Sequence, residues 1–242
     1  MSTAQRSVPH EGLLWRACEG VYRALVVEAC FLAACAPGIA LTAALVPEAS
    51  NAPLFGAAAL PLGPALAAAL HCANRQLAGD DTSAARTFRR GWRLNAADAL
   101  RVWAPAVAVL VVLALSATAA AAAPGGAVVR AVLTVTAAVV AVVALSALVV
   151  VTSFRFRTRD AARLAVHVLG RRPATALGLV ALLALAGALV LTSLWLALAA
   201  ASLWVLLLAV VSRGAVDLVA AEFTGDEHDP HDPYRHDDEG ER

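Results

Sequence analysis

Lysine is absent from this sequence. All nineteen basic side chains are arginine, and with the heavy use of alanine this reflects GC-rich codon choice. The preference for arginine over lysine therefore carries little functional weight. The short patterns that announce common chemistries are missing too. There is no phosphate-binding loop, no nucleophile elbow, no H-E-x-x-H helix and no pair of catalytic carboxylates, so neither an enzyme nor a bound cofactor is expected. The four cysteines, Cys18, Cys30, Cys35 and Cys72, include no C-x-x-C pair. That spacing argues against a disulfide framework or a zinc site and for small, polarizable packing residues. Leu32, Ala33, Ala34 and Cys35 match the consensus that precedes a lipidated cysteine. However, Glu28 interrupts the apolar segment such a signal needs, and apolar sequence continues to Val46, so no cleaved signal is expected.

What the chain has in abundance is apolar sequence. Hydrophobic residues make up 60% of it, and charged residues only 15%. The runs at 102–123 and 127–154 are each long enough to cross about 30 Å of hydrocarbon as a helix. The expected fold is all-α: a polytopic transmembrane helical bundle of about six spans, at 24–46, 53–74, 102–123, 127–153, 174–192 and 195–216. Pro124, Gly125 and Gly126 mark the turn between the third and fourth spans. Pro173 suits the first turn of the fifth, where its missing N–H leaves no helical bond unmade. The last two spans share a nearly unbroken apolar run, which we divide at Thr192 and Ser193.

Charge is unevenly distributed. Through Val216 there are 17 arginines against 8 acids, a balance of +9; from Asp217 onward 2 arginines face 10 acids, a balance of −8. Arginines cluster before the first span, between the second and third, and between the fourth and fifth, whereas the opposite turns carry only Arg130. The positive-inside rule then puts both termini in the cytosol. Three regions follow: a cytosolic N-terminal segment (1–23), the transmembrane domain (24–223) and an acidic tail (224–242) whose composition reads as disordered. The tail's three histidines among aspartates form no regular ligand set, and no metal site is expected there.

The two basic loops are each expected to hold an amphipathic cytosolic helix. In the first, Asp80 to Ser83 supply an N-cap cluster. Ala85, Phe88, Trp92, Ala96, Ala99 and Trp103 then recur at spacings of three and four as a narrow stripe, with Arg86, Arg90, Arg93 and Arg101 to its side and back. In the second, Ala161, Leu164, Ala165, Val168 and Leu169 follow Asp160 at helical spacing, with Arg163 and His167 opposite. The two loops match at an offset of 77 residues (Ala84-Ala85-Arg86 with Ala161-Ala162-Arg163), which suggests a parallel internal repeat. The decapeptide 86–95, with four arginines and two aromatics, resembles a nucleic-acid patch in isolation. Between two spans it reads instead as a surface helix whose arginine stems reach anionic headgroups or a partner, and whose Phe88 and Trp92 belong to a membrane-facing stripe.

The stretch from Leu62 through Gly63, Pro64, Arg75, Asp80 and Asp81 to Phe88, Arg89, Arg90, Gly91, Trp92, Arg93 and Asn95 resembles the YesL-like family of bacterial integral membrane proteins, a domain of unknown function. The resemblance spans most of 20–220, but only about 35 residues of it carry distinctive motif. It departs at Glu28, Ala96 and Asp98. It implies an accessory role beside carbohydrate uptake systems and brings no catalytic residues with it.

Two groups of candidate residues follow. For docking to anionic lipid or to carbohydrate transporter subunits, the candidates are Arg86, Phe88, Arg89, Arg90, Gly91, Trp92, Arg93, Asn95 and Arg163. Within the membrane they are Glu28, and Pro61, Gly63 and Pro64, which should break or kink the second span. Glu28 is either a relay group or, the preferred reading, a carboxylate near the cytosolic interface within reach of an arginine. The leading expectation is an accessory or regulatory component of ABC-type carbohydrate uptake. The alternative is a transporter or permease subunit for a small solute. The acidic tail is also expected to lie against the basic loops. Substrate, partner and oligomeric state are not legible.

Overall fold

The computed structural model of the chain describes residues 13–79, 82–121, 124–153, 170–171 and 173–224. Its helices are α1 (Leu13–Ala44), α2 (Ala52–Ala59), α3 (Leu62–Leu77), α4 (Ala84–Ala120), α5 (Gly126–Ser153), α6 (Pro173–Thr192), α7 (Leu194–Ala199) and α8 (Ala201–Thr224). No strand occurs among the described residues. Among the described residues, five segments are long and apolar enough to cross a membrane: Cys18–Ala44, Ala49–Leu77, Ala84–Ala120, Gly126–Ser153 and Pro173–Thr192. The chain is an all-α polytopic bundle. The sixth expected span exists as two pieces, α7 and α8, and the apolar part of α8 is only Ala201–Gly214.

The turn signals act where their chemistry puts them. Gly125 takes a positive φ of 77° between α4 and α5, and Pro173 opens α6. The chain leaves α6 at Ser193, whose backbone is extended and whose hydroxyl accepts the Leu196 N–H. From there α7 and α8 fold back along α6. Trp204 Nε1 donates to the Leu182 carbonyl at 2.9 Å, and a Cβ on Gly178 would meet Val211. Arg213 donates to the Leu77 carbonyl at 3.4 Å, so α8 returns to the end of the bundle where α3 finishes.

One expectation is corrected by α4. The first amphipathic helix and the third span are not separate elements but one helix of 37 residues, about 54 Å long. The sequence changes from amphipathic to uniformly apolar near Val102, but no capping residue divides the two parts. Pro105 removes a single backbone bond without ending the helix. The stripe on its first turns also faces inward: Phe88 and Ala99 are buried, and Trp92 and Trp103 pack on the core. Phe88 and Trp92 therefore pack on the core and do not form a membrane-facing stripe. Ala85 is exposed and not part of the packed face.

The core is built largely of small residues. Ala65, Ala67, Ala68 and Ala69 of α3 are at most 1% exposed, and Leu70, Leu148 and Leu208 pack around them. Small side chains let helices approach closely, which is how association gains energy in lipid where burial of apolar area does not drive it. Away from this core, Val109 and Val112 of α4 and Val128, Val132, Val135 and Val139 of α5 are exposed, a surface suited to acyl chains. Most of the hydroxyls along these helices are satisfied internally, Ser153 Oγ at the end of α5 being buried without a partner among the described residues. Ser116, Thr134 and Thr136 each donate to the carbonyl four residues back, at 2.8–2.9 Å, as polar groups in lipid must. Cys35 and Cys72 are buried packing residues as expected, whereas Cys18 is exposed.

Candidate functional site

The geometry centres on how α4 meets α3. Cys72 Sγ lies 3.8 Å from the Ala84 carbonyl, and a Cβ on Gly91 would come within 2.9–3.1 Å of the His71 side chain. Ala84 and Gly91 are about 10 Å apart along α4, yet they touch neighbouring residues of α3. The first two turns of α4 therefore pack on the His71–Cys72 stretch of α3. Phe88 is 6% exposed and Trp92 half-buried on this contact, with Gly91 between them admitting the imidazole. His71 Nε2 is buried there without a hydrogen-bond partner among the described residues. Ser83 precedes the helix as expected, although its side chain makes no cap bond. The Ser83 carbonyl instead accepts from Thr87 Oγ1 at 3.2 Å. Asp80 and Asp81 lie outside the described residues.

With one face of α4 held this way, Arg86, Arg89, Arg90 and Arg93 are all exposed. None forms an ion pair among the described residues, unlike Arg23, which pairs with Glu19 at 2.8 Å, and Arg101, which pairs with Asp98 at 2.6 Å. The four are instead one another's helical neighbours: 86 with 89 and 90, and 93 with 89 and 90, at spacings of three and four. Each like-charge pair at such spacing destabilises a helix by about 0.2–0.5 kcal/mol, so the face carries about 1–2 kcal/mol of repulsion. An anion laid along it would relieve that strain. Asn95 is half-buried at the edge of the same segment. Arg163, and the stretch 154–169 in which a second amphipathic helix is expected, fall outside the described residues.

The break in the second span is present, but it is packed instead of open. Leu60 and Pro61 keep right-handed helical backbone angles between α2 and α3, so the span kinks without unwinding. Neither Pro61 nor Pro64 has an N–H to give to the preceding turn. Beside the Ala57 and Leu60 carbonyls, which those prolines leave without their usual helical donor, Trp103 Nε1 donates to the Ala59 carbonyl at 2.9 Å. Gly63 is what admits the indole, since a Cβ there would sit 2.5 Å from Trp103 Cγ. Gly63 and Pro64 are buried and Pro61 is half-buried. Of the three, Gly63 lies on the α3–α4 contact, whereas Pro61 lies beside Gly38 of α1.

Glu28 is the buried carboxylate, 8% exposed. It reaches no arginine among the described residues. Its Oε2 accepts the Ser202 backbone N–H at 2.6 Å, a donor released by the break between α7 and α8. An acidic group at a helix N-terminus is favourable because unpaired N–H groups and the helix dipole converge there. Ser202 is 11 residues from Arg213, about 16 Å along α8, so the pairing is deep in the bundle. Glu28 Oε1 is buried and has no partner among the described residues. Sequence reasoning singled out Glu28 but missed Ser202, because nothing in the run from 194 to 210 signals a helix break at Ala200. A cleft of about 570 Å³ between α5 and α6 is lined by apolar residues, among them Val135, Val139, Val142, Ala176, Val180 and Leu183, and offers no polar chemistry.

No protein-family model, curated protein or solved structure matches the chain.

Proposed function

We propose that the chain is an accessory component of a bacterial inner membrane, with its basic end in the cytosol, that docks to a carbohydrate uptake system through the arginine face of α4. The observation that carries the docking role is the set of four exposed, mutually repelling arginines on a helix held against α3 at Gly91 and on the core by Phe88 and Trp92. A rigid helix with unrelieved positive charge suits an anionic counterpart. The carbohydrate assignment rests on the resemblance across Leu62 to Asn95. The orientation rests on the positive-inside rule. The test is co-purification of the tagged full chain from native membranes, with importer subunits identified by mass spectrometry. Recovery of those subunits supports the reading. Recovery of anionic lipid alone assigns the face to membrane anchoring and defeats it.

One observation favours a second reading, that the protein itself moves a small solute. A carboxylate deep in the bundle, at a helix break and with one oxygen unpartnered among the described residues, is an arrangement that membrane transporters use. Solute flux into proteoliposomes containing this chain alone, abolished by Glu28→Gln, would establish that reading over the first.

A further inference from the structure

The arginine face and the C-terminal end of α8 emerge at the same end of the bundle. Arg213 sits on the last carbonyl of α3 at 3.4 Å, and α3 is the helix that the first turns of α4 pack on at His71 and Cys72. Beyond Arg213, α8 continues to Thr224, and residues 225–242 follow it. Those 18 residues hold eight acids (Asp226, Glu227, Asp229, Asp232, Asp237, Asp238, Glu239 and Glu241) against Arg235 and Arg242, a balance of −6. Fully extended they span up to about 60 Å, well over the about 16 Å by which α8 runs on past Arg213. At about 0.1 M salt, exposed charges act over a Debye length of about 10 Å. A tethered anion of this charge is therefore present at the face at high effective concentration.

We propose that the acidic segment 225–242 of the same chain occupies the Arg86, Arg89, Arg90 and Arg93 face and must be displaced before an external anionic partner binds. The inference rests on the docking role proposed above and names its regulation. Binding of the segment relieves the repulsion among the four arginines, and the partner then competes with it. External binding is thereby restricted to surfaces of higher charge density or better fit than the tail.

The absence of lysine makes a direct test available. In the full-length Arg89→Lys variant, the introduced lysine is the only side-chain amine in the protein, and the positive charge is kept. Carbodiimide treatment of the purified variant joins that amine to a carboxylate in contact with it, and peptide mapping identifies which one. The expected product is an intramolecular amide to an acid between Asp226 and Glu241. Its yield should fall at least several-fold between 0.1 M and 1 M salt, and it should be absent from an Arg130→Lys control at the opposite end. No tail product, a product only in crosslinked dimers, or equal yields from Arg89→Lys and Arg130→Lys would overturn the proposal. Failure here is separable from failure of the docking role. Replacing the four arginines by glutamine tests partner recovery independently of where the tail lies.

Discussion

Gly63→Ala should be among the more damaging single-methyl additions in this protein. The added Cβ would lie 2.5–2.7 Å from three atoms of the Trp103 side chain, including Cβ and Cγ. Cβ is not the far end of a flexible chain, so relief requires moving the indole or separating α3 from α4. Overpacking of this kind costs about 1–3 kcal/mol. A shifted indole also loses its bond to the Ala59 carbonyl, worth about 0.5–1.5 kcal/mol net. Against this, alanine gains up to about 1 kcal/mol over glycine in helix propensity. The balance is a loss of about 1–3 kcal/mol. Thermal unfolding in detergent can be followed with a thiol-reactive dye, because Cys35 and Cys72 are buried and free. Gly20→Ala is the matched control: nothing lies within 4 Å of its added Cβ, so it should be neutral or stabilising. The cycle with Trp103→Ala completes the argument, since without the indole Gly63→Ala should cost nothing. If Gly63→Ala is as benign as Gly20→Ala, or as costly without Trp103 as with it, the account of the kink is wrong.

Gly91→Ala should lower the unfolding temperature through its contact with His71, and His71→Ala should restore most of the loss; no rescue would mean the contact is not the cause. Glu28→Ala strands the Ser202 N–H in the bundle and should cost about 1–3 kcal/mol, whereas Glu28→Gln keeps an acceptor and should cost clearly less. Equal losses in the two variants, measured by the same thermal assay, would refute the capping role. Replacing Arg86, Arg89, Arg90 and Arg93 together by glutamine removes four repulsive pairs, so in a chain ending at Thr224 it should stabilise by about 1–2 kcal/mol at low salt. That gain should shrink as salt rises, and a salt-independent or negative effect would contradict it.

The helices were legible because their causes are local. Pro173, Ser193 and Gly125 each impose a backbone state by their own chemistry, and α6, α7 and the α4–α5 turn fall where those residues require. The character of the arginine face was legible for the same reason, since spacings of three and four fix which side chains are neighbours on a helix. What the stripe opposite it touches was not. Periodicity reports that Phe88 and Trp92 share a face, but lipid and a neighbouring helix are equally apolar, and only the approach permitted by Gly91 and His71 decides between them. The continuity of α4 was hidden by a change of hydropathy that looks like a boundary while leaving the backbone bonds intact. The capping of Ser202 by Glu28 joins residues 174 apart in sequence, and no local pattern announces such a pair.

The central claim is that the four arginines of α4 dock the protein to an importer. The measurement that tests it most directly is the recovery of importer subunits from native membranes, comparing wild type with the variant carrying Arg86→Gln, Arg89→Gln, Arg90→Gln and Arg93→Gln. Arg101→Gln serves as the control, because that arginine is already paired with Asp98. The account predicts recovery with wild type and with Arg101→Gln, declining as salt is raised, and loss of at least tenfold with the fourfold variant. Recovery by the fourfold variant equal to that by wild type would contradict it.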